Sequence, residues 1–527
     1  MSLFPSTPGK AILNPSSDDL RKLTSAMPGA RLTRFDNYNI ATRVTARSKG
    51  STYIVTDEPS AHSDQTLPVA EAQRMARIQD GYLRECEMVV IEGFIGNAPG
   101  FKVAARLMVE KANANIAGMQ QMLYFDATAQ ELASFKPEVT ILYTPNLVAK
   151  GFPNDRLIAV DLRSMLTRVF NSDYFGESKK AGLRMWNKIV FDRGGLPLHA
   201  GCKTIPTGRG DRVGLIVGLS GTGKTTTTFT RQNDSRPVQD DFVALMPGGK
   251  VYATENGCFA KTFGLDPKLE PTIHKAVCQP RAYLENVSQK GSEPDFFDTS
   301  YTQNGRAVFR MSEVEGAADA RLLAKADFLL ILNANENIIP AVARLSGATA
   351  AAFFMLGETR GTSAGGVEEA GKSLRVPGTN PFFPLLHADQ GNRMHEMLRG
   401  CPMEVYLMNT GRVGGAVDDT RSRKVGIPQS SAIVRGIAEG TIIWEQDPDF
   451  GYEVATSVPG IAAEDAPLLR PRLLYETQGR ADEYRTLVER YRRERAAFLR
   501  SWPGLKPEII AAGEAAGPGP GRSSPPG

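Results

Sequence analysis

The sequence has 527 residues, of which 41% are hydrophobic and 23% are charged. This is the composition of an ordinary soluble globular protein, and the chain is too long for a single core, so we expect two or three domains. A formal net charge of +4 without a long basic run argues against nucleic-acid binding. No apolar run reaches the length of a membrane span, and the N-terminus lacks a signal-peptide pattern.

Five scattered cysteines without CxxC pairing indicate a reducing compartment rather than a disulfide framework or a structural zinc site. Together these features predict a cytoplasmic protein with no membrane contact and no nucleic acid. The chain is expected to be a monomer or a small homo-oligomer.

Residues 1–195 alternate short β-rich runs, such as "MVVIEGFIG" and "VTILYTP", with helical stretches. The pattern predicts helices over 68–85 and 101–116. From residue 196 onward, strand-like pieces and glycine turns follow closely, which indicates a second domain over 196–510 that ends in a charged amphipathic helix. The Gly/Pro/Ser-rich residues 511–527 are predicted to be disordered. Alternating strands and helices indicate an α/β protein.

The stretch "GLSGTGKT" over 218–225 fits the phosphate-loop pattern G-x-x-x-x-G-K-[ST] in full. The apolar run 213–217 is the expected preceding strand, and a helix can begin at Lys224. Glycines allow backbone N–H groups to point at phosphate oxygens, Lys224 adds a positive charge, and the Thr225 hydroxyl can reach a divalent metal. The predicted nucleotide-binding residues are Gly218, Leu219, Ser220, Gly221, Thr222, Gly223, Lys224, Thr225, Thr226 and Glu270.

Downstream, Asp240 and Asp241 form an acidic pair at a strand edge, and such a pair after a phosphate loop usually handles the metal ion. Five further stretches follow a recognisable order: "ARSKGSTYIV", "YFGESKKAGL", "LPLHAGC", "ENGCFAKT" and "NGRAVF". Together with the phosphate loop and the acidic pair, they resemble the ATP-dependent phosphoenolpyruvate carboxykinases. The resemblance implies a two-domain α/β fold, with the phosphate loop in the C-terminal domain and an active-site cleft between the domains.

The resemblance also implies a reaction, in which oxaloacetate and ATP give phosphoenolpyruvate, CO₂ and ADP, with Mn²⁺ and Mg²⁺ as metals. Decarboxylation leaves an enolate, which a cation stabilises, and lysines, arginines and metals neutralise the charge of phosphoryl transfer. Carried over by position, the metal ligands are Lys180, His199 and Asp241, with Thr225 at the nucleotide metal. The substrate-binding residues are Arg47, Tyr174, Lys180 and Arg306, and the catalytic residues are Lys179, Lys180, Lys224, Lys261 and Arg306.

The chain departs from the family pattern in three segments. The arginine loop reads "RSKGST", the expected lid near 358–380 is glycine-rich, and Ser431 replaces an arginine that contacts the nucleotide in the family. One of Arg421, Arg423 and Arg435 could restore that contact. ATP is the expected donor, while GTP and pyrophosphate stay open.

Two alternatives to a carboxykinase are a kinase with another carboxylate or alcohol as acceptor and a non-catalytic nucleotide-binding regulator. The remaining histidines are interpreted as structural: His62, His274, His387 and His395.

Overall fold

The computed structural model describes residues 8–219, 221–231, 234–360 and 373–514. An eight-stranded mixed sheet, built from the N-terminal part of the chain, runs in the order β1–β6–β7–β8–β10–β9–β4–β5. Its strands are β1 (Lys10–Leu13), β4 (Thr52–Val55), β5 (Thr66–Leu67), β6 (Glu87–Ala98), β7 (Phe101–Glu110), β8 (Val139–Thr144), β9 (Leu157–Asp161) and β10 (Leu166–Phe170).

A second eight-stranded sheet runs in the order β14–β12–β13–β22–β26–β23–β30–β29. Its centre is parallel, because β13 pairs with β22 and β22 with β26 in the same direction. The strands are β12 (Ala200–Thr207), β13 (Gly210–Val217), β14 (Arg236–Gln239), β22 (Phe328–Asn333), β23 (Val342–Leu345), β26 (Glu404–Asn409), β29 (Ile443–Gln446) and β30 (Glu453–Ser457).

The structure also contains smaller sheets beside the two eight-stranded ones. A five-stranded sheet, β17–β21–β18–β3–β2, joins two strands near the N-terminus to three from the middle of the chain, and a three-stranded sheet has the order β11–β15–β16. Three two-stranded ribbons complete the set: β19–β20, β24–β25 and β27–β28. The strands are β2 (Ala30–Leu32), β3 (Tyr38–Ile40), β11 (Leu196–Leu198), β15 (Val243–Leu245), β16 (Val251–Ala253), β17 (Gly257–Lys261), β18 (Tyr283–Glu285), β19 (Ser288–Lys290), β20 (Glu293–Asp295), β21 (Arg306–Arg310), β24 (Glu358–Arg360), β25 (Ser373–Arg375), β27 (Arg412–Val413) and β28 (Arg423–Lys424).

The helices cover the faces and ends of the sheets, and among the described residues none is long and apolar enough to cross a membrane. They are α1 (Ser17–Ser25), α2 (Val69–Leu83), α3 (Ala114–Leu123), α4 (Ala129–Ala133), α5 (Phe175–Asp192), α6 (Lys224–Phe229), α7 (Pro271–Val277), α8 (Gly347–Leu356), α9 (His387–Gly400), α10 (Ile427–Glu439), α11 (Pro471–Thr477), α12 (Ala481–Arg500) and α13 (Pro507–Glu514).

The mixed α/β architecture predicted from the sequence is confirmed, as are the helix near 68–85 and the charged helix near the C-terminus. The helix predicted over 101–116 is wrong. Residues 101–110 form β7, which pairs antiparallel with β6 along its length. Phe101, Val103 and Ala105 are buried while Lys102 is exposed, so the apolar residues follow the two-residue period of a strand. The helix of this region, α3, begins only at Ala114.

The predicted disordered tail is also corrected at its start, because residues 511–514 belong to α13. The remainder of that tail, residues 515–527, lies outside the described residues, as do residues 361–372 of the expected lid. The ends of that expected lid, β24 and β25, pair with each other, with Glu358 opposite Arg375.

A buried ion pair fixes this ribbon to α12. Arg495 donates two hydrogen bonds to Glu358, of 2.9 and 2.7 Å, and their side chains are only 1% and 7% exposed. Arg375 donates a third hydrogen bond to the same carboxylate, of 3.1 Å. Burial disfavours charge, but two guanidinium groups outweigh it and lower the pKa of Glu358.

We expect Arg495→Met to destabilise the protein by about 3–5 kcal/mol, because it leaves the Glu358 carboxylate buried beside Arg375 alone. The free energy of unfolding in urea measures this loss. The control is Arg485→Met on the exposed face of the same helix, whose partner Asp482 is also exposed; it should change the value by less than about 0.5 kcal/mol. Equal effects of the two changes would show that the buried pair does not hold this ribbon.

Candidate active site

Helix α5 begins directly after Tyr174 and presents two consecutive lysines in buried surroundings. Neighbouring helical positions point about 100° apart, so the two side chains leave in different directions. Lys179 Nζ lies 2.8 Å from both Asp241 Oδ2 and Glu255 Oε2. Lys180 Nζ lies 2.5 Å from the same oxygen of Asp241.

His199 reaches this carboxylate from another direction. It follows β11, whose last residue Leu198 pairs antiparallel with Val243, and this register brings residue 199 beside the turn that contains Asp241. His199 Nε2 lies 2.9 Å from Asp241 Oδ1, and its Nδ1 lies 3.0 Å from the Thr379 carbonyl oxygen. The Asp241 carboxylate therefore contacts side chains from α5 and from the β11–β12 connection.

The glycine-rich loop lies between β13 and α6, and the helix begins at Lys224 as predicted. Gly221 and Gly223 have φ values of 89° and 83°, which only glycine adopts without strain. Lys224 Nζ lies 3.5 Å from Asp241 Oδ1. The Thr225 hydroxyl donates to Asp240 (2.6 Å).

Thr226 and Glu270, two further residues predicted to bind the nucleotide, contact each other. The Thr226 hydroxyl donates to Glu270 Oε1 (2.6 Å), so the carboxylate at the start of α7 is held against α6. Ser220 lies outside the described residues.

Arg306 lies at the opposite end of this region, in β21 between two strands. It pairs with Lys261 of β17 on one side and with Glu285 of β18 on the other. Its Nε and Nη2 donate to Asn304 Oδ1, at 3.1 and 2.8 Å, and Asn304 Nδ2 donates to the Tyr174 hydroxyl (3.2 Å). Asn304 thus joins two of the predicted substrate-binding residues.

One cavity of about 480 Å³ connects these groups. Among the predicted residues, its walls contain Arg47, Tyr174, Lys180, His199, Leu219, Gly221, Gly223, Lys224, Thr225, Thr226, Asp240, Asp241, Lys261, Glu270 and Arg306. Lys179 does not line the cavity but contacts Asp241. Gly218 and Thr222 belong to the glycine-rich loop and do not line the cavity either.

Sequence reasoning missed four residues with clear roles in this geometry: Glu255, Phe259, Asn304 and Phe382. Glu255 and Phe259 lie inside the quoted stretch "ENGCFAKT", and Asn304 opens "NGRAVF". The sequence signal for Glu255 was its position as an acidic residue upstream of Lys261 in "ENGCFAKT". Phe382 had no chemical signal, because only the fold places its ring beside Lys180, 4.4 Å from the amine.

The nucleotide-side substitutes considered from the sequence lie elsewhere. Arg421 pairs with Asp419, Arg423 donates to the Glu464 carbonyl, and Arg435 pairs with Glu439. Ser431 is half-buried in α10. In the described part of the chain, none of these residues lines the cavity.

The buried charges at Asp241 set the protonation of its neighbours. Burial opposes ionisation of Asp241, yet Lys179, Lys180 and Lys224 outweigh it and hold the pKa of Asp241 well below its usual value. Burial lowers the pKa of Lys180 to about 7, assisted by the positive charge of Lys179. Lys179 faces two carboxylates, which overcome burial and raise its pKa. Of the two lysines that share one oxygen, Lys180 is therefore the one that becomes neutral.

These protonation states fit a divalent metal ion. Burial and the charge of Lys224 lower the pKa of His199 to about 3, so its imidazole is neutral at pH 7. The group then offers an amine, an imidazole and a carboxylate, which suits a first-row divalent ion such as Mn²⁺. Beside it, Asp240 Oδ1 is buried without a hydrogen-bond partner among the described residues. Within the same residues no group of three His, Cys, Asp or Glu side chains could hold a metal ion.

The depressed pKa of His199 predicts a pH-dependent stability. The unfolded chain binds a proton at His199 below about pH 6.5, whereas the folded protein does not until about pH 3. Stability is therefore lost as the pH falls through this window, by up to about 1.4 kcal/mol per pH unit. In His199→Asn the plot of unfolding free energy against pH should be flatter by that slope between pH 6 and 4. An unchanged slope would contradict a neutral, buried His199.

Comparisons with known proteins identify the family of this chain. Residues 9–464 match the family described as phosphoenolpyruvate carboxykinase. A phosphoenolpyruvate carboxykinase (ATP) of Aeropyrum pernix is 31% identical over 440 residues, which cover 80% of this chain and 83% of the relative. Relatives of the same name from Caldanaerobacter subterraneus and Mesorhizobium japonicum are 26% and 28% identical, over 90% and 81% of this chain and 92% and 80% of their own lengths. The chain belongs to the ATP-dependent phosphoenolpyruvate carboxykinase family.

Proposed function

We propose that this protein catalyses the metal-dependent decarboxylation of oxaloacetate with phosphoryl transfer from ATP, which gives phosphoenolpyruvate, CO₂ and ADP. The observation that carries the proposal is the meeting of Lys180 and His199 on the Asp241 carboxylate, within 2.9 Å, beside an intact phosphate loop. The relatives are named for the ATP-dependent enzyme. Family membership does not favour the alternative, a kinase with another acceptor, nor a non-catalytic regulator.

The proposal includes the two-domain layout with a cleft between residues 1–195 and 196–510. Its support is that the cavity walls come from both segments, with Arg47 and Tyr174 on one side and the phosphate loop and Arg306 on the other. Lys180, His199 and Asp241 would hold Mn²⁺, and Thr225 would contact Mg²⁺ with the nucleotide. A bound cation supplies positive charge where the enolate oxygen becomes negative.

The acid substrate is held by the chain's own cations. Arg47 has no hydrogen-bond acceptor among the described residues, so its donors are available for a carboxylate. Asn304 Oδ1 accepts hydrogen bonds from Nε and Nη2 of Arg306. These bonds orient the guanidinium group and leave its Nη1 for the ligand. Guanidinium groups match carboxylates with two parallel hydrogen bonds, which orients the acid for loss of CO₂. Closure of such a site around its ligand would exclude water and protect the enolate from protonation.

Phosphoryl transfer is supported by lysines around the phosphate loop. Lys224 opens α6, and it lines the cavity together with Thr225 and Thr226. Lys179 is kept protonated by Asp241 and Glu255, and Lys261 lies on the opposite wall. Phosphoryl transfer needs alignment and charge neutralisation, which these cations supply without moving a proton.

The proposal also covers the localisation and the oligomeric state of the protein. The five cysteines are free in the structure, which agrees with the reducing cytoplasm. A monomer or a small homo-oligomer remains the proposed state.

We test the function with purified protein, oxaloacetate, Mn²⁺ and ATP, and expect phosphoenolpyruvate to accumulate only with all three. Lys224→Ala should lower turnover by about a thousandfold or more, because the lysine neutralises charge on the transferring group. Lys250→Ala is the matched control, since this exposed lysine contacts only the Tyr252 ring outside the cavity and should retain turnover. Near-normal turnover of Lys224→Ala would remove the loop from the mechanism.

We expect the protein to discriminate only weakly among phosphoryl donors. Ser431 lacks the charge of the family's arginine, and the three candidate substitutes are paired elsewhere. The phosphates and metal should supply most of the nucleotide affinity, since those contacts are charge-assisted. A panel of ATP, GTP and pyrophosphate at fixed oxaloacetate and Mn²⁺ should give kcat/KM values for ATP and GTP within about a thousandfold, or roughly 4 kcal/mol. A larger preference for ATP would show that another group reads the base.

A further inference from the structure

One aromatic ring beside the cavity is surrounded by three cations. Phe382 is buried, and its ring centre lies 4.4 Å from Lys180 Nζ, 5.1 Å from the Arg47 guanidinium carbon and 5.3 Å from that of Arg184. Lys180 has Asp241 as a partner. Within the described part of the chain, neither arginine has a carboxylate partner.

Arg184 is the unusual member of this group. It lies one helical turn after Lys180 on α5 and is only 6% exposed. Its guanidinium donates no hydrogen bond to any described residue, and its Nη1 is fully buried without a partner. A buried guanidinium with unused donors costs free energy, because the water it loses is not replaced.

The nearby carboxylates do not remove this cost. Glu177 and Asp64 raise the pKa of Arg184, but burial and the charge of Arg47 lower it, and burial is the largest effect. The Glu177 carboxylate accepts a hydrogen bond from the backbone N–H of Ser48 instead. Neither carboxylate lies within ion-pair distance of Arg184 in the described structure.

We propose that Arg184 and Arg47 together bind one carboxylate group of the acid substrate, at the edge of the Phe382 ring. This deepens the proposed function and rests on it, because it assigns a third arginine to the same acid site. Phe382 and Arg47 line the cavity, so the Arg184 guanidinium lies one ring away from it. A carboxylate between the two guanidinium groups supplies the missing acceptors and neutralises their repulsion.

The assignment makes Arg184 a specificity-determining residue for a dicarboxylate. With Arg306 at the far end of the acid site, a ligand with two carboxylates engages both ends, whereas a monocarboxylate engages only one. The nucleotide uses the phosphate loop on another wall, so its affinity does not depend on Arg184.

The test uses malonate, an unreactive dicarboxylate, as the probe, and oxaloacetate as the substrate. Arg184→Gln should weaken malonate binding by tenfold or more in calorimetry and raise the KM for oxaloacetate similarly. The KM for ATP should change less than twofold. Arg184→Lys, which keeps the charge but not the paired donors, should lie between the wild type and Arg184→Gln.

Stability in the absence of ligand distinguishes this role from a structural one. A buried cation without acceptors destabilises the empty protein, so Arg184→Gln should melt at the same temperature as the wild type or higher. Arg193→Gln is the control, because this arginine stacks on Phe101 and pairs with Glu138 away from the cavity. It should leave malonate affinity and both KM values unchanged.

Two results would overturn the inference: unchanged malonate affinity in Arg184→Gln, or a melting temperature several degrees below that of the wild type. The malonate measurement does not require turnover. If the wild type makes no phosphoenolpyruvate while malonate affinity still depends on Arg184, the proposed reaction fails and the carboxylate site stands.

Discussion

The carboxylate of Asp241 is the interaction on which the candidate site depends. It is largely shielded from solvent and contacts Lys179, Lys180, His199 and Lys224. Without this negative charge, three lysines would repel one another in surroundings that also disfavour each charge. The carboxylate therefore joins α5, the β11–β12 connection and the start of α6 at one point.

The charges of the cavity explain which ligands it accepts. Its walls contain seven lysines and arginines but only four aspartates and glutamates, so the empty cavity is deficient in negative charge. A nucleotide triphosphate and a dicarboxylate supply that charge, and their contacts are charge-assisted. The cations that have protein partners are held in place, as Lys179 is by Glu255, while Arg47 and Arg184 have no acceptor among the described residues. The unsatisfied groups therefore indicate where a ligand completes the structure.

Two buried arginines, Arg495 and Arg184, differ in whether they have a carboxylate partner. This difference distinguishes a stabilising role from a role in binding. Arg495 has a full carboxylate partner in Glu358 and fixes a ribbon to the C-terminal helix. Arg184 is also buried but has no acceptor among the described residues. Natural proteins commonly tolerate such a loss of stability where a binding site needs it. The two arginines thus make opposite predictions for ligand-free stability.

Local patterns in the sequence were sufficient for the α/β class and for the glycine-rich loop between β13 and α6, whereas the roles of the site residues came from the family resemblance and stay predictions. The local patterns failed for β7, where a helix was predicted although the apolar residues at its start alternate, and where pairing with β6 fixes the strand. Tertiary structure alone decided that His199 and Asp241 share a contact, since antiparallel pairing of β11 with β15 brings them together. It also placed Phe382 against Arg184. Such contacts join residues far apart in the chain, and no local pattern encodes that distance.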